Sequence, residues 1–120
     1  MPLSLKSRYS EDVSVIQCSG RIVLGDEVKS LEAALEQCSV ESARVVLNLA
    51  GVDRLDSIGL GLLVRYAQRL GNRGGGLRLA APPPSTTALL NMTKLSDLLK
   101  SYPTEEEAMD SYQSSAGSGV

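Results

Sequence analysis

The sequence predicts an α/β domain: a small mixed, largely parallel β-sheet of four to five strands, flanked by about four α-helices. Segments with strand and helix patterns alternate along the 120 residues, which favours parallel strands joined by helical crossovers. Residues 44–49 are a continuous apolar run rich in β-branched side chains, typical of a strand buried on both faces. Residues 27–38 place apolar side chains three and four positions apart, as on one face of an amphipathic helix.

The first third of the chain predicts two strands and a helix. Residues 3–9 alternate loosely and indicate an edge strand, followed by a turn at 10–12. A second strand is expected over 13–19, broken at Gly20 and continued in extended form. Asp26 is the expected N-cap of the first helix. The predicted buried positions of that helix are Val28, Leu31, Ala34, Leu35 and Cys38.

The central strand is predicted to lead into a second helix. After residues 44–49 we expect a loop over 52–55 and then a helix from Asp56 to Leu70, ended by Gly71. Its predicted buried face consists of Leu60, Leu63, Ala67 and Leu70, with Val64 beside them. Its predicted solvent-facing residues are Arg65, Gln68 and Arg69.

Another strand and a third helix are predicted next. Residues 77–80 indicate a short strand, which three consecutive prolines at 82–84 end, because proline cannot donate to a sheet ladder. The third helix is expected to be capped by Ser85 or Thr86 and to run to about Thr93.

The chain is predicted to close with a short extended piece near 100–102 and a fourth helix. Thr104 is its expected N-cap, and the three glutamates that follow suit the positive end of the helix dipole. We expect this helix to end near Tyr112. Residues 113–120 are rich in Ser and Gly and predict a flexible tail, so that the domain spans 1–112.

Composition excludes several functional classes. Twelve basic and 14 acidic residues give a net charge of −2, without the basic, aromatic-bearing stripe of a nucleic-acid binder. The chain has neither a membrane-length apolar run nor a signal-peptide pattern, so we expect a cytoplasmic protein without membrane insertion. Histidine is absent, and Cys18 and Cys38 are expected to be buried thiols. The sequence therefore predicts no catalytic residues, no metal site and no cofactor.

One segment carries a candidate site. Ser57 is expected in the first turn of the second helix, where free backbone N–H groups and the helix dipole tolerate a phosphate. Gly59 and Gly61 each cost the helix about 1 kcal/mol, so another requirement must explain them, such as close approach of a partner or of another element. The pattern is equally compatible with Asp56 as a simple cap, Ser57 as an ordinary helix residue and glycines kept for packing.

The wider context resembles the STAS family, named for sulphate transporters and anti-sigma factor antagonists. The resemblance lies in Leu47-Asn48-Leu49, a short loop, and Asp56-Ser57-Ile58-Gly59-Leu60-Gly61. Residues 84–95 are similar to the family's third helix, and 102–108 to its last strand end and final-helix start. The resemblance covers roughly residues 3–112 and implies the STAS fold.

The resemblance also implies a function, that of an anti-sigma factor antagonist regulating transcription. The unphosphorylated protein would bind an anti-sigma factor that is also a serine kinase with a histidine-kinase-like ATPase fold. Phosphorylation of Ser57 would end that binding. The expected partner-binding residues are Asp56, Ser57, Ile58, Gly59, Leu60 and Gly61. The partner would supply ATP and magnesium, so this chain would need no cofactor.

The sequence departs from the family pattern at two positions. Many antagonists have Ser, Thr or Ala where this chain has Ile58, which changes the expected docking surface. Lys94 stands where the family often has Gly, at a predicted helix C-terminus, so the local cap is expected to differ.

Alternatives from other classes stay open at this point. The chain could be a STAS scaffold in a signalling assembly, an accessory subunit of a lipid-transport ATPase, or an enzyme or small-ligand sensor. The edge strand at 3–9 would permit weak homodimerisation. Residues 71–76 lack the Lys-Ser/Thr of a P-loop and predict a turn. A basic rim around one end of the Ser57 helix, or simply a solvated face, would account for Arg54, Arg65, Arg69 and Arg73.

Overall fold

The computed structural model describes residues 3–118, with side chains described through residue 112. Five strands and four helices alternate in this part of the chain. In order they are β1 (Ser4–Ser10), β2 (Val13–Ile22), α1 (Asp26–Glu41), β3 (Arg44–Leu55), α2 (Ser57–Gly71), β4 (Gly76–Ala80), α3 (Pro84–Met92), β5 (Ser101–Tyr102) and α4 (Glu105–Ser118).

The strands form one five-stranded sheet in the order β1-β2-β3-β4-β5. Strand β1 is antiparallel to β2, and the other neighbouring pairs are parallel. Helices α1, α2 and α3 contribute to the larger core on one face, whereas α4 packs on the other face in a smaller cluster. The predicted mixed, largely parallel sheet with four helices is confirmed, and β1 is an edge strand as predicted.

Strands β2 and β3 are longer than predicted. Gly20 does not break β2, and residues 52–55 are strand rather than loop. The reason is mutual pairing: residues 19–22 of β2 hydrogen-bond with residues 51–55 of β3, with register shifts on both sides of Gly20, whose φ is 110°. Because β4 pairs with β3 only as far as Asn48, these two segments project as a two-stranded unit, here called the β2–β3 ribbon.

Two of the predicted helix caps are wrong. Asp26 is the first residue inside α1, and Gly25, with a φ of 125°, takes the N-cap position without a side-chain hydrogen bond. Helix α3 begins at Pro84, before both predicted caps, Ser85 and Thr86. Proline suits the first turn because it lacks the N–H that a cap would have to satisfy.

Helix α4 has the predicted cap, since Thr104 Oγ1 accepts a hydrogen bond from Glu107 N at 3.1 Å. Its backbone continues to Ser118, beyond the expected end near Tyr112. The flexibility expected of residues 113–120 stays a prediction, and residues 119 and 120 lie outside the described part of the chain.

Helix α2 buries a wider face than predicted. Its four predicted core residues are buried and Val64 is half-buried, but Leu62 and Tyr66 are buried as well. The Tyr66 hydroxyl donates to Glu36 Oε1 of α1 at 2.5 Å, and Arg69 stacks over the tyrosine ring. Tyr66 lies three residues after Leu63 and four before Leu70, on the same helical face, and its hydroxyl adds a contact between α1 and α2.

The turn predicted after β1 is confirmed. Both residues of the β1–β2 turn, Glu11 and Asp12, have positive φ angles (53° and 66°), as a tight hairpin turn requires. The cap expected to differ at Lys94 does not: Lys94 follows α3 with a φ of 60°, the left-handed conformation usual for glycine at a helix end, and Leu95 N donates to Leu90 O as in a glycine cap. Cys18 and Cys38 are free and buried, and burial raises the pKa of Cys18 to about 12. Within residues 3–118, no helix combines the length and apolar character needed to cross a membrane.

Candidate functional site

The candidate site lies where the ribbon passes into helix α2. Strand β3 ends at Leu55, Asp56 is the N-cap, and Ser57 is the first helical residue. The loop that follows β2 lies beside it, because the carboxyl ends of parallel strands meet at one edge of a sheet. Ser57 is exposed there, so a kinase could reach it without unfolding the helix.

The carboxylate of Asp56 organises this turn. One oxygen accepts a hydrogen bond from Gly59 N at 2.8 Å, and the other accepts from Leu24 N at 2.9 Å. These backbone donors, Gly59 foremost, hold the pKa of Asp56 below its ordinary value, with a smaller contribution from the charge of Arg54. The predicted cap is confirmed. The bond to Leu24 was not predicted, since it joins residues 32 positions apart.

Two exposed apolar residues belong to the segments that meet at this turn. Ile58 is 47% exposed, and Leu24 is 71% exposed. Leu24 is held beside the site by its bond to Asp56. Sequence reasoning included Ile58 in the docking neighbourhood but missed Leu24, which lies on a different segment.

The two glycines of the motif have different surroundings. A Cβ on Gly59 would lie 2.6 Å from the carbonyl oxygen of Ile22, so Gly59 is required where α2 packs against β2. A Cβ on Gly61 would meet no atom within 4 Å. Of the six residues predicted to bind a partner, Gly59 and Leu60 are buried, Asp56 is half-buried, and the exposed ones are Ser57, Ile58 and Gly61.

The four arginines of the hypothetical basic rim do not gather at one end of α2. Arg54 precedes the helix and Arg73 follows its far end. Arg65 and Arg69 form ion pairs of 2.8 and 2.9 Å with two glutamates of α1. The rim hypothesis is therefore wrong, because two of the arginines belong to the contact between α1 and α2 and the other two lie a helix length apart.

Comparison with known proteins places this geometry in a family. The family model described as "STAS domain" matches residues 5–108. A relative from Thermotoga maritima, whose name assigns it provisionally as an anti-sigma factor antagonist, is 31% identical over 67 residues. That match covers 56% of this chain and 59% of the relative, so it spans less than two thirds of the relative's length.

Solved structures agree over most of the chain. An anti-sigma factor antagonist from Mycobacterium paratuberculosis is 26% identical with a TM-score of 0.81, over 91% of this chain and 92% of that one. The antagonist SpoIIAA, unphosphorylated, is 20% identical with a TM-score of 0.77, covering 92% and 97%. In its phosphorylated form from Bacillus the TM-score is 0.72, covering 91% and 99%. With the family model matching most of its length, this chain belongs to the STAS domain family.

Proposed function

We propose that this protein is an anti-sigma factor antagonist whose switch is the phosphorylation of Ser57. Unphosphorylated, it binds an anti-sigma factor that is also a serine kinase with a histidine-kinase-like ATPase fold, and so releases a sigma factor for transcription. Phosphorylated, it no longer binds. Its role is regulatory rather than catalytic, and the nucleotide and magnesium belong to the partner.

The observation that carries the proposal is the position of Ser57. It is an exposed residue at the start of α2, next in the chain to the exposed Ile58, and its other neighbour, Asp56, accepts a hydrogen bond from the backbone of the exposed Leu24. A partner that contacts these residues would contact Ser57 as well. A phosphate there would bring about −1.5 to −2 charges into a partly apolar interface, beside the ionised carboxylate of Asp56. Desolvation of the phosphate opposes binding, and burial in the interface would strengthen its repulsion by Asp56 on the same chain. A loss of about 3 kcal/mol would weaken the complex roughly a hundredfold.

The test measures phosphate transfer and binding in one system. The protein is incubated with ATP, magnesium and each anti-sigma kinase of its source organism, and intact mass and Kd are measured. We expect wild type to gain one phosphate, Ser57→Ala to gain none and still bind, and Ser57→Asp to bind poorly. Ser85→Ala is the matched control, because Ser85 is also an exposed serine in the first turn of a helix.

Two results would contradict the proposal. The first is that no anti-sigma kinase binds or modifies wild type. The second is that Ser57→Ala still gains the phosphate, which would move the modified residue elsewhere. Co-purification with a membrane ATPase in place of an anti-sigma factor would instead support the role of a scaffold or accessory transport subunit.

A further inference from the structure

The β2–β3 ribbon places two arginines side by side. Gly20 pairs with Val52, but the next pair along the ribbon is Arg21 with Arg54. The register shift between them passes over Asp53, which has no partner in the pairing. With a regular register Arg21 would face Asp53, an opposite charge. The bulge replaces that pair by two like charges directly across from each other.

No ion pair among the described side chains includes either arginine of this pair. Arg21 and Arg54 are both exposed, and neither takes part in the ion pairs among residues 3–112. The charge of Arg54 acts on Asp56, but the Asp56 carboxylate is already held by backbone N–H groups. Like charges directly opposite in a sheet are destabilising, so the fold carries a small cost that an anion from outside would remove.

The direction of the pair indicates where that anion comes from. The next pair in the ribbon, Ile22 with Leu55, faces the larger core on which α2 packs. Since successive residues of a strand point to opposite faces, Arg21 and Arg54 lie on the other face, away from α2. A phosphate on Ser57 would lie on the α2 side. The arginine pair is therefore exposed on the face opposite α2, where a group from another molecule can reach it.

Resting on the proposed function, we infer that the Arg21–Arg54 pair is the charged part of the docking surface and binds carboxylates of an acidic segment of the anti-sigma factor. The apolar part is Leu24 and Ile58, on the loop and helix that continue from the same two strands. Arginine forks are suited to paired recognition of carboxylates. The partner surface expected here thus carries acidic residues beside apolar ones.

The experiment separates binding from folding by charge reversal. Affinity for the anti-sigma kinase that phosphorylates the protein is measured for wild type, Arg21→Glu, Arg54→Glu and the double variant, at low and high salt. We expect each single reversal to weaken binding about tenfold and the double about a hundredfold, with the salt dependence of the association rate reduced. Arg73→Glu, the same change at the far end of α2, should stay within about twofold of wild type.

Thermal unfolding of the same variants distinguishes the pair from a structural element. Arg21→Glu turns the like-charge pair into an opposite-charge pair, so its melting temperature should equal or exceed that of wild type while its binding weakens. Wild-type affinity in the reversal variants would overturn the inference and leave the proposed function standing. A shift in melting temperature that occurs only in the phosphorylated form would also overturn the inference, because it would show that the pair binds the phosphoserine. If wild type neither binds nor gains phosphate, the proposed function itself fails, and this inference with it.

Discussion

The carboxylate of Asp56 accepts a hydrogen bond from the backbone of Leu24 at 2.9 Å while its other oxygen caps helix α2. One side chain therefore fixes both the helix start that carries Ser57 and the loop that carries an exposed leucine. This relationship makes the proposed docking surface a single unit built from two segments of the chain.

Replacing Asp56 with Ala is expected to lower the free energy of unfolding by about 1–2 kcal/mol, since the helix loses its cap. Amide hydrogen exchange should accelerate at Leu24 and Gly59, the two donors to the carboxylate. Asp53→Ala, which removes a neighbouring exposed carboxylate, should change stability by no more than about 0.5 kcal/mol. If amide exchange at Leu24 is unchanged, Asp56 does not hold the Leu24 loop to the start of α2.

Stability should also depend on pH through Asp56. Because its pKa is lowered in the folded protein, its contribution is present above the ordinary carboxyl range and is lost as pH falls through the folded pKa. Chemical denaturation of wild type and Asp56→Asn, compared between pH 7 and pH 3, isolates this residue from other carboxylates. The stability difference between the two proteins should shrink on acidification, and a constant difference would refute the assignment.

The two glycines of α2 form a matched pair. Gly59→Ala should destabilise the protein by about 1–3 kcal/mol, because the new methyl group would press on the Ile22 carbonyl oxygen. Gly61→Ala should stabilise it by up to about 1 kcal/mol, since alanine favours the helix and meets open space. Denaturant unfolding gives both values. If Gly61→Ala binds the partner more weakly although it is more stable, the space at residue 61 is kept for the partner. If both changes destabilise the protein equally, the difference in packing between Gly59 and Gly61 is contradicted.

The apolar pair should matter for binding and not for folding. Leu24→Ser and Ile58→Ser each remove an exposed apolar side chain, so stability should change by less than about 0.5 kcal/mol. Affinity for the anti-sigma factor should fall about tenfold or more, as expected for burying such a side chain in an interface. Val40→Ser is the control, since Val40 is 81% exposed and lies at the other end of α1. Equal losses in all three variants would argue against a specific site.

Tyr112 anchors α4 to the sheet. Its buried hydroxyl accepts from Val45 N at 3.2 Å and lies 2.7 Å from the carbonyl oxygen of Gly76, and burial raises its pKa to about 12. Tyr112→Phe should cost about 1–3 kcal/mol, because buried backbone groups lose their partner. Tyr9→Phe removes an exposed hydroxyl and should be nearly neutral. Thermal denaturation compares the two, and similar small effects would exclude the anchoring role.

Local chemistry made part of this structure predictable. Residues 44–49 form a buried strand and Asp56 caps a helix because hydrophobic periodicity and capping depend on residues within one or two turns of each other. The predicted caps of α1 and α3 were wrong because Gly25 and Pro83 occupy the N-cap positions. Neither makes a side-chain hydrogen bond to its helix. The buried Tyr66 was missed although its spacing from Leu63 and Leu70 places it on the buried face of α2, and only its bond to Glu36 of α1 depends on the tertiary structure.

The sequence by itself determined the order of strands and helices, the parallel sheet and the exposed serine at the start of a helix, since each follows from a pattern within a short stretch of chain. Only the tertiary structure decided the length of the β2–β3 ribbon, the bond from Asp56 to Leu24 and the apposition of Arg21 with Arg54. These features depend on the register between segments about thirty residues apart. A shift of one residue changes every pair, and no local pattern specifies it.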